Sequence, residues 1–216
     1  MNRCADNYPT HELGPIAQIL GINRGNRMVS LVSVSSKSAG LHDYILKNNS
    51  DDEELMNAEF VQGDIVTTII KCAHGETITM ALDTSLPRYY SRKFAVHGTN
   101  AFYQADTNAI FLDKEEYDHE KGASSYINNF DDFRDEYEHP VWKKYIEEGV
   151  HEGHGGMDWL VLNDFFNHLA EGKPMPIDVY DMAAWMSITP LTEKSISLGG
   201  IPVDIPDFTN GMWVKR

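Results

Sequence analysis

The spacing of hydrophobic positions changes several times along this chain, and each change predicts a different element. In residues 11–22, HELGPIAQILGI, the apolar Leu13, Ile16, Ile19 and Leu20 recur at helical intervals, with Thr10 standing as N-cap. RMVSLVSVSSK (27–37) alternates with period two through Met28, Leu31 or Val32, and Val34, which predicts a strand. LHDYILKNNSDDEEL (41–55) is polar and acidic, a short helix followed by a solvated loop. GDIVTTIIKCAHGETITMALDTS (63–85) holds two β-branched runs joined by Ala73-His74-Gly75-Glu76, a hairpin signal. KFAVHGTNAFYQADTNAIFLD (93–113) repeats that pattern twice, with turns near Gly98-Thr99-Asn100 and Ala105-Asp106-Thr107-Asn108.

Residues 114–140 are charged and loop-like and lead into a short helix around WKKYIEEG. In GHGGMDWLVLNDFFNHLAEGK (153–173), Met157, Leu160, Val161, Phe165 and Leu169 form one helical stripe that Gly172 ends. Trp159, Phe165, Phe166 and Trp185 are assigned to a core or an interface. IDVYDMAAWMSITPLTEKSISLGG (177–200) predicts a second helix bent near Pro190, and IPVDIPDF is extended because proline recurs where helix is excluded. Consecutive hairpins flanked by helices predict an α+β fold, a mostly antiparallel open sheet with helices packed on one face. No repeat or linker interrupts the chain, so residues 1–216 are read as one domain.

Composition narrows the partners. The chain is 42% hydrophobic and 11% aromatic, enough for a sizeable core. Its 18 Lys and Arg face 33 Asp and Glu, a formal net charge of −15 that disfavours nucleic acid and anionic membrane surfaces. Cys4 and Cys72 lack metal-type spacing and indicate no disulfide framework. With no spanning apolar run and no signal-peptide pattern, the expected location is cytoplasmic.

Three stretches carry more reactive side chains than a fold requires. Tyr8, Thr10 and His11 stand at a helix lip, where a histidine serves either as acid and base near neutral pH or simply as an early helical residue. In LPRYYSRKF (86–94), Arg88, Tyr89, Tyr90 and Arg92 suit a sugar or carboxylate, or a surface loop with arginine stacked on tyrosine. HEGHGGMD (151–158) places three glycines at a helix start beside His154 and Asp158. Its His-x-x-His spacing lacks a zinc signature, so no metal is expected. No G-x-G-x-x-G follows a predicted strand, and no P-loop or G-x-S-x-G elbow occurs.

These same stretches resemble a known family. NYPTHELGPIAQ, INRGNRM, the SVSSKSAGL run, KCAHGETITMALDTSLPRYYSR, GHGGMDW and PVDIPDF resemble the Gfo/Idh/MocA oxidoreductases, over nearly the whole chain and least in 114–150. Within them the sequence is most similar to the branch of glycoside hydrolase family 109, α-N-acetylgalactosaminidases that use NAD. The resemblance implies the C-terminal substrate-binding domain of a two-domain enzyme. The Rossmann fingerprint, and the family's lysine- or glutamate-bearing motif at the end of that half, have no counterpart here. NAD is therefore implied as cofactor, but with no cofactor-binding residue on this chain.

In that family, transient oxidation at sugar C3 acidifies the C2 proton and allows elimination of the aglycone. Carried over by motif position, the resemblance implies His11 and Tyr8 as an acid/base pair and Tyr90 as a base or sugar-contacting tyrosine. Thr10, Arg88, Tyr89, Arg92, His154 and Asp158 are implied as substrate-binding residues. Glu12 departs from the hydrolase motif, which has Gly after the His, and leaves sugar oxidation and glycoside hydrolysis both open. Implied partners are a carbohydrate, a separate Rossmann domain or subunit, and further copies of the chain joined through the sheet. The alternative is a sugar-binding or oligomerisation module without catalysis of its own.

Overall fold

A computed structural model describes residues 3–49, 51–113, 120–149 and 153–216. Along the chain run α1 (Thr10–Ile19), β1 (Met28–Ser35), α2 (Gly40–Asn48), α3 (Glu53–Met56), β2 (Ile65–Cys72) and β3 (Thr77–Asp83). They are followed by β4 (Ala95–His97), β5 (Ala101–Gln104), β6 (Ala109–Leu112), α4 (Arg134–Tyr137), α5 (Pro140–Glu148) and α6 (Met157–Glu171). The chain ends with α7 (Val179–Met186), α8 (Ile188–Ser197) and β7 (Val203–Asp204). Two compact units result, Met1–Arg88 with Pro176–Arg216, and Tyr89–Met175.

The first unit is built on a sheet of order β3-β2-β1-β7, antiparallel at every pairing. Register decides its two faces. Val66, Thr68, Ile70 and Cys72 of β2 are buried, while their neighbours Ile69 and Lys71 point to the open side. Leu31 of β1 is paired with Ile70, and Ile70 with Ile78 of β3, so one apolar layer crosses the sheet. Leu13 and Ala17 of α1, Ala184 and Trp185 of α7 and Ile188 of α8 close over it. The predicted α+β architecture is thus observed: open antiparallel sheets, the four-stranded one covered by helices on one face. A buried polar seam joins α8 to that sheet, where Ser195 Oγ accepts the Ser33 amide at 2.9 Å.

The second unit carries the sheet β4-β5-β6, again antiparallel. The Asn129 side chain accepts the Ile110 amide and donates to the Ile110 carbonyl, each at 2.8 Å, satisfying the edge of β6 as another strand would. Tyr145 of α5 is buried, stacked on Trp159 at 5.8 Å and edge-on to Trp142 at 5.8 Å.

Two local expectations are corrected. Thr10 is the first residue of α1 and not its cap; Pro9 precedes the helix without a side-chain bond, its preset φ of −74° already helical. The helix expected to bend near Pro190 divides earlier, between Met186 and Ile188, because Pro190 has no amide for the Met186 carbonyl four residues back. Of the α6 stripe, Val161, Phe165 and Leu169 are exposed, as is Phe166, while Trp185, among the four aromatics assigned to a core or an interface, joins the main apolar cluster. The solvated loop predicted after α2 also contains the single turn α3, capped by Asp52. Part of the charged stretch, residues 114–119, lies outside the described residues.

Candidate functional site

The segment before α1 is tied down on both sides. The Ala5 amide donates to Gln62 Oε1 at 3.1 Å, and Gln62 Nε2 returns a bond to the Ala5 carbonyl at 3.0 Å. The Asp6 amide donates to Thr192 Oγ1 at 3.0 Å, and Thr189 Oγ1 donates to the Asp6 carbonyl at 2.7 Å. Arg3 pairs with Glu193 at 2.6 Å. Pro9 is buried and its carbonyl accepts the Leu13 amide at 2.9 Å. Tyr8 and His11 are then presented outward on an anchored turn, and both are exposed.

Their rings stack with centroids 4.7 Å apart and planes 28° from parallel. Tyr8 Oη and His11 Nε2 stand 3.5 Å apart, at the outer edge of hydrogen bonding. The pair can pass a proton after a small closure, with Thr10 and Glu12 as neighbours. Pro15 lies inside α1, so the His11 carbonyl lacks the amide that would normally bond it.

Arg88 belongs to the same unit, its Nε 3.3 Å from Asp83 Oδ2 at the end of β3. Tyr89, Tyr90, Arg92, His154 and Asp158 belong to the second unit. There Arg92 Nε donates to Tyr90 Oη at 3.1 Å, and both tyrosines are exposed. His154 Nδ1 meets Asp158 Oδ2 at 2.7 Å. The Asp158 carboxylate, by hydrogen bond and then by charge, holds the His154 imidazolium above its ordinary pKa range. His151, the other half of the His-x-x-His spacing, lies outside the described residues.

One glycine of GHGGMD has a packing role that the sequence does not reveal. At Gly156 φ is +89°, and an added Cβ would stand 1.9 Å from Tyr145 Oη. This glycine makes room for the buried ring of α5. His154 is itself left-handed, at φ +51°, beside the start of α6.

Two buried acids, and the arginine that one of them pairs with, escaped sequence reasoning. Asp6 sits two residues before Tyr8 and is 2% exposed; its only signal was an acidic residue abutting the motif. Arg24 of INRGNRM bonds the buried Asp181 through Nη1 at 2.8 Å and Nη2 at 2.7 Å. Nothing local in the sequence pairs residues so far apart.

A cradle for NAD requires a parallel strand, a glycine turn and a helix start. Every strand pairing among the described residues is antiparallel, so they form no such cradle. Nor is any helix among them long and apolar enough to cross a membrane.

Residues 1–215 match the family model described as "Glycosyl hydrolase 109, C-terminal domain". The chain belongs to that family. Over 216 residues it is 41% identical to a Tannerella forsythia protein named "Alpha-N-acetylgalactosaminidase", covering all of this chain and 45% of that protein. It is 40% identical to a "Glycosyl hydrolase family 109 protein" of Parabacteroides distasonis, with 100% and 45% covered. A Stenotrophomonas maltophilia protein of the same name is also 40% identical, with 100% and 46% covered. The family 109 chain thus spans somewhat less than half the length of these relatives. That family domain contains all nine residues singled out in the sequence.

Proposed function

We propose that this chain forms the sugar-facing part of an enzyme acting on an α-linked N-acetylgalactosamine or a close relative of it. In the first unit Tyr8 and His11 exchange the proton of a sugar hydroxyl, with Thr10 and Arg88 as further sugar-binding candidates. In the second unit Tyr90 is the candidate for a ring contact or the C2 proton, and Tyr89, Arg92, His154 and Asp158 are its candidate sugar-binding residues. NAD, on this reading, is held by a Rossmann domain or subunit outside this chain. What carries the proposal is the Tyr8–His11 stack, presented on a turn anchored from both sides within a family 109 domain.

The test uses the chain alone. Titration with N-acetylgalactosamine should shift the ring resonances of Tyr8 and His11 at millimolar sugar, the range of a small polar ligand with few contacts, roughly −4 kcal/mol. NAD added to the chain by itself should give no binding heat. A sugar that moves neither ring even in large excess would refute the reading, and tight NAD uptake would refute its division of labour.

A second reading, self-association through the first sheet, is favoured by one observation. On the open face Val34 and Ile69 are 54% and 45% exposed on adjacent strands. Sedimentation should then show an assembly that Ile69→Lys reduces to monomer with an unchanged circular dichroism spectrum. A wild-type chain that sediments as a monomer at its highest soluble concentration ends this reading.

A further inference from the structure

His154 and Asp158 are joined side chain to side chain within the second unit. We propose that Asp158 is a positioning residue: it fixes His154 in the tautomer that carries its proton on Nδ1, leaving Nε2 bare to accept the hydroxyl proton of a sugar. The inference rests on the proposed function for its ligand. Asp158 then has a task performed through His154 and not on the sugar itself.

The contact decides where the proton sits. His154 Nδ1 lies 2.7 Å from Asp158 Oδ2, the length of a charge-assisted hydrogen bond. A carboxylate can only accept, so the proton between them belongs to Nδ1. A neutral imidazole has a single N–H, and once it is directed at Asp158 the other nitrogen keeps a free lone pair. With 77% of the His154 side chain exposed, a ligand can reach the ring.

The backbone beneath the ring is strained, and core packing does not account for it. The Gly156 amide donates to the Gly153 carbonyl at 3.0 Å and closes a turn. Its two central residues, His154 and Gly155, both have positive φ, at +51° and +64°. Glycine, asparagine or aspartate dominates such positions, because a larger side chain is strained there. Gly155 conforms, whereas His154 is a large side chain that fills no core. What the strain secures is the place of the imidazole, four residues before Asp158. That carboxylate is held in turn by the first helical turn of α6, where the helix dipole favours its negative charge. A Cβ added to Gly153 would stand 3.5 Å from Asp158 Oδ2, so the carboxylate lies against the turn that carries the ring.

The same contact makes His154 a stronger base. The hydrogen bond from Asp158, and then its charge, raises the His154 pKa above 6.5 and outweighs the opposing desolvation. Tyr145 of α5 lies under this turn, against Gly156, and Asp158 of α6 is the charge that acts on the ring. Tautomer and basicity therefore have one cause, as in other carboxylate–imidazole pairs.

The experiment follows the imidazole nitrogens of the whole chain by NMR, at a pH where the rings are neutral. In wild type, His154 Nδ1 should show the shift of a protonated nitrogen and Nε2 that of a bare one. Asp158→Asn offers Nδ1 an amide donor in place of an acceptor, so the proton should move to Nε2 and the titration midpoint should fall toward 6.5. His168, paired with Asp164 on the same helix, should keep its signals in both proteins. N-acetylgalactosamine should shift Nε2 of wild type and leave Nδ1 in place. It should bind Asp158→Asn roughly 3- to 10-fold more weakly, the range of one hydrogen bond. A wild-type ring with its proton on Nε2 overturns the proposal, as does an unchanged tautomer in Asp158→Asn. A sugar that moves Tyr8 and His11 but not His154 Nε2 also overturns it, and leaves the proposed function standing. If none of the three rings responds, the sugar reading falls and takes the role of Nε2 with it.

Discussion

Asp181→Ala is expected to lower the stability of the chain by about 2–4 kcal/mol, the loss of charge-assisted bonds to a partly exposed arginine together with a helix cap. Asp181 is fully buried in α7, and its carboxylate takes Arg24 at both oxygens, at 2.8 and 2.7 Å. The same carboxylate accepts the Asp178 amide at 3.0 Å, closing a capping box at the start of α7. Deleting it leaves the guanidinium with bonds to the Pro176 and Ile22 carbonyls, at 3.0 and 3.4 Å, and Asp178 at 3.9 Å, and frees the first turn of the helix that carries Trp185. Burial pushes the Asp181 pKa up, but Arg24, the Asp178 amide and Asn23 outweigh it and hold it below 3.8. Its contribution is accordingly full above pH 3.8 and is lost as pH falls through the lower folded value. Urea denaturation of wild type and variant at pH 7 measures the difference. A midpoint shift worth less than about 1 kcal/mol, the level of a surface pair, would show that the bidentate contact is not what holds α7.

Gly156→Ala should have a comparable effect, confined to the second unit. The left-handed backbone at φ +89° costs a Cβ roughly 1–2 kcal/mol. Displacing Tyr145, whose Oη would lie 1.9 Å from that Cβ, adds the roughly 1–3 kcal/mol of an overpacked core. Tyr145 cannot move freely, because Trp142 and Trp159 hold its ring at 5.8 Å on either contact. The near-ultraviolet spectrum of the tryptophans and amide exchange along α6 should both change, while β1 to β3 keep their protection. If α6 exchanges as slowly as in wild type, Gly156 is not a packing residue, and its role beside His154 would have to be a ligand's.

Much of the fold was readable because its signals are local. Alternation with period two in MVSLVSVS and IVTTIIKC makes strands wherever one face is covered, and Ala73 to Glu76 could only turn. Gly172 ended its helix as expected, at φ +64°. The errors came where a nearby chemical detail outweighed periodicity. A missing amide at Pro190 divided α7 from α8, and a preset Pro9 displaced Thr10 from the cap. The apolar stripe of α6 was legible, but its exposure was not, since periodicity reports a face and not what covers it.

Of the candidate site, residue identities and their order were readable, and so was the likeness to family 109 in the motifs that carry Tyr8, Tyr90 and His154. The pairing of Tyr8 with His11 came from the resemblance alone, since Tyr8 lies before α1 and no helical spacing joins the two. Strand alternation, turn chemistry and motif spacing act over a few residues and need no knowledge of the rest of the chain. Burial and charge pairing do not. Asp6 became a buried acid only when Thr189 and Thr192 bonded its main chain, and Asp181 found Arg24 across 157 positions. An ionisable group's energy depends on how much water it keeps and which charges approach it. Both are set by segments distant in sequence, so only the folded chain could bury Asp6 and bring Asp181 to Arg24.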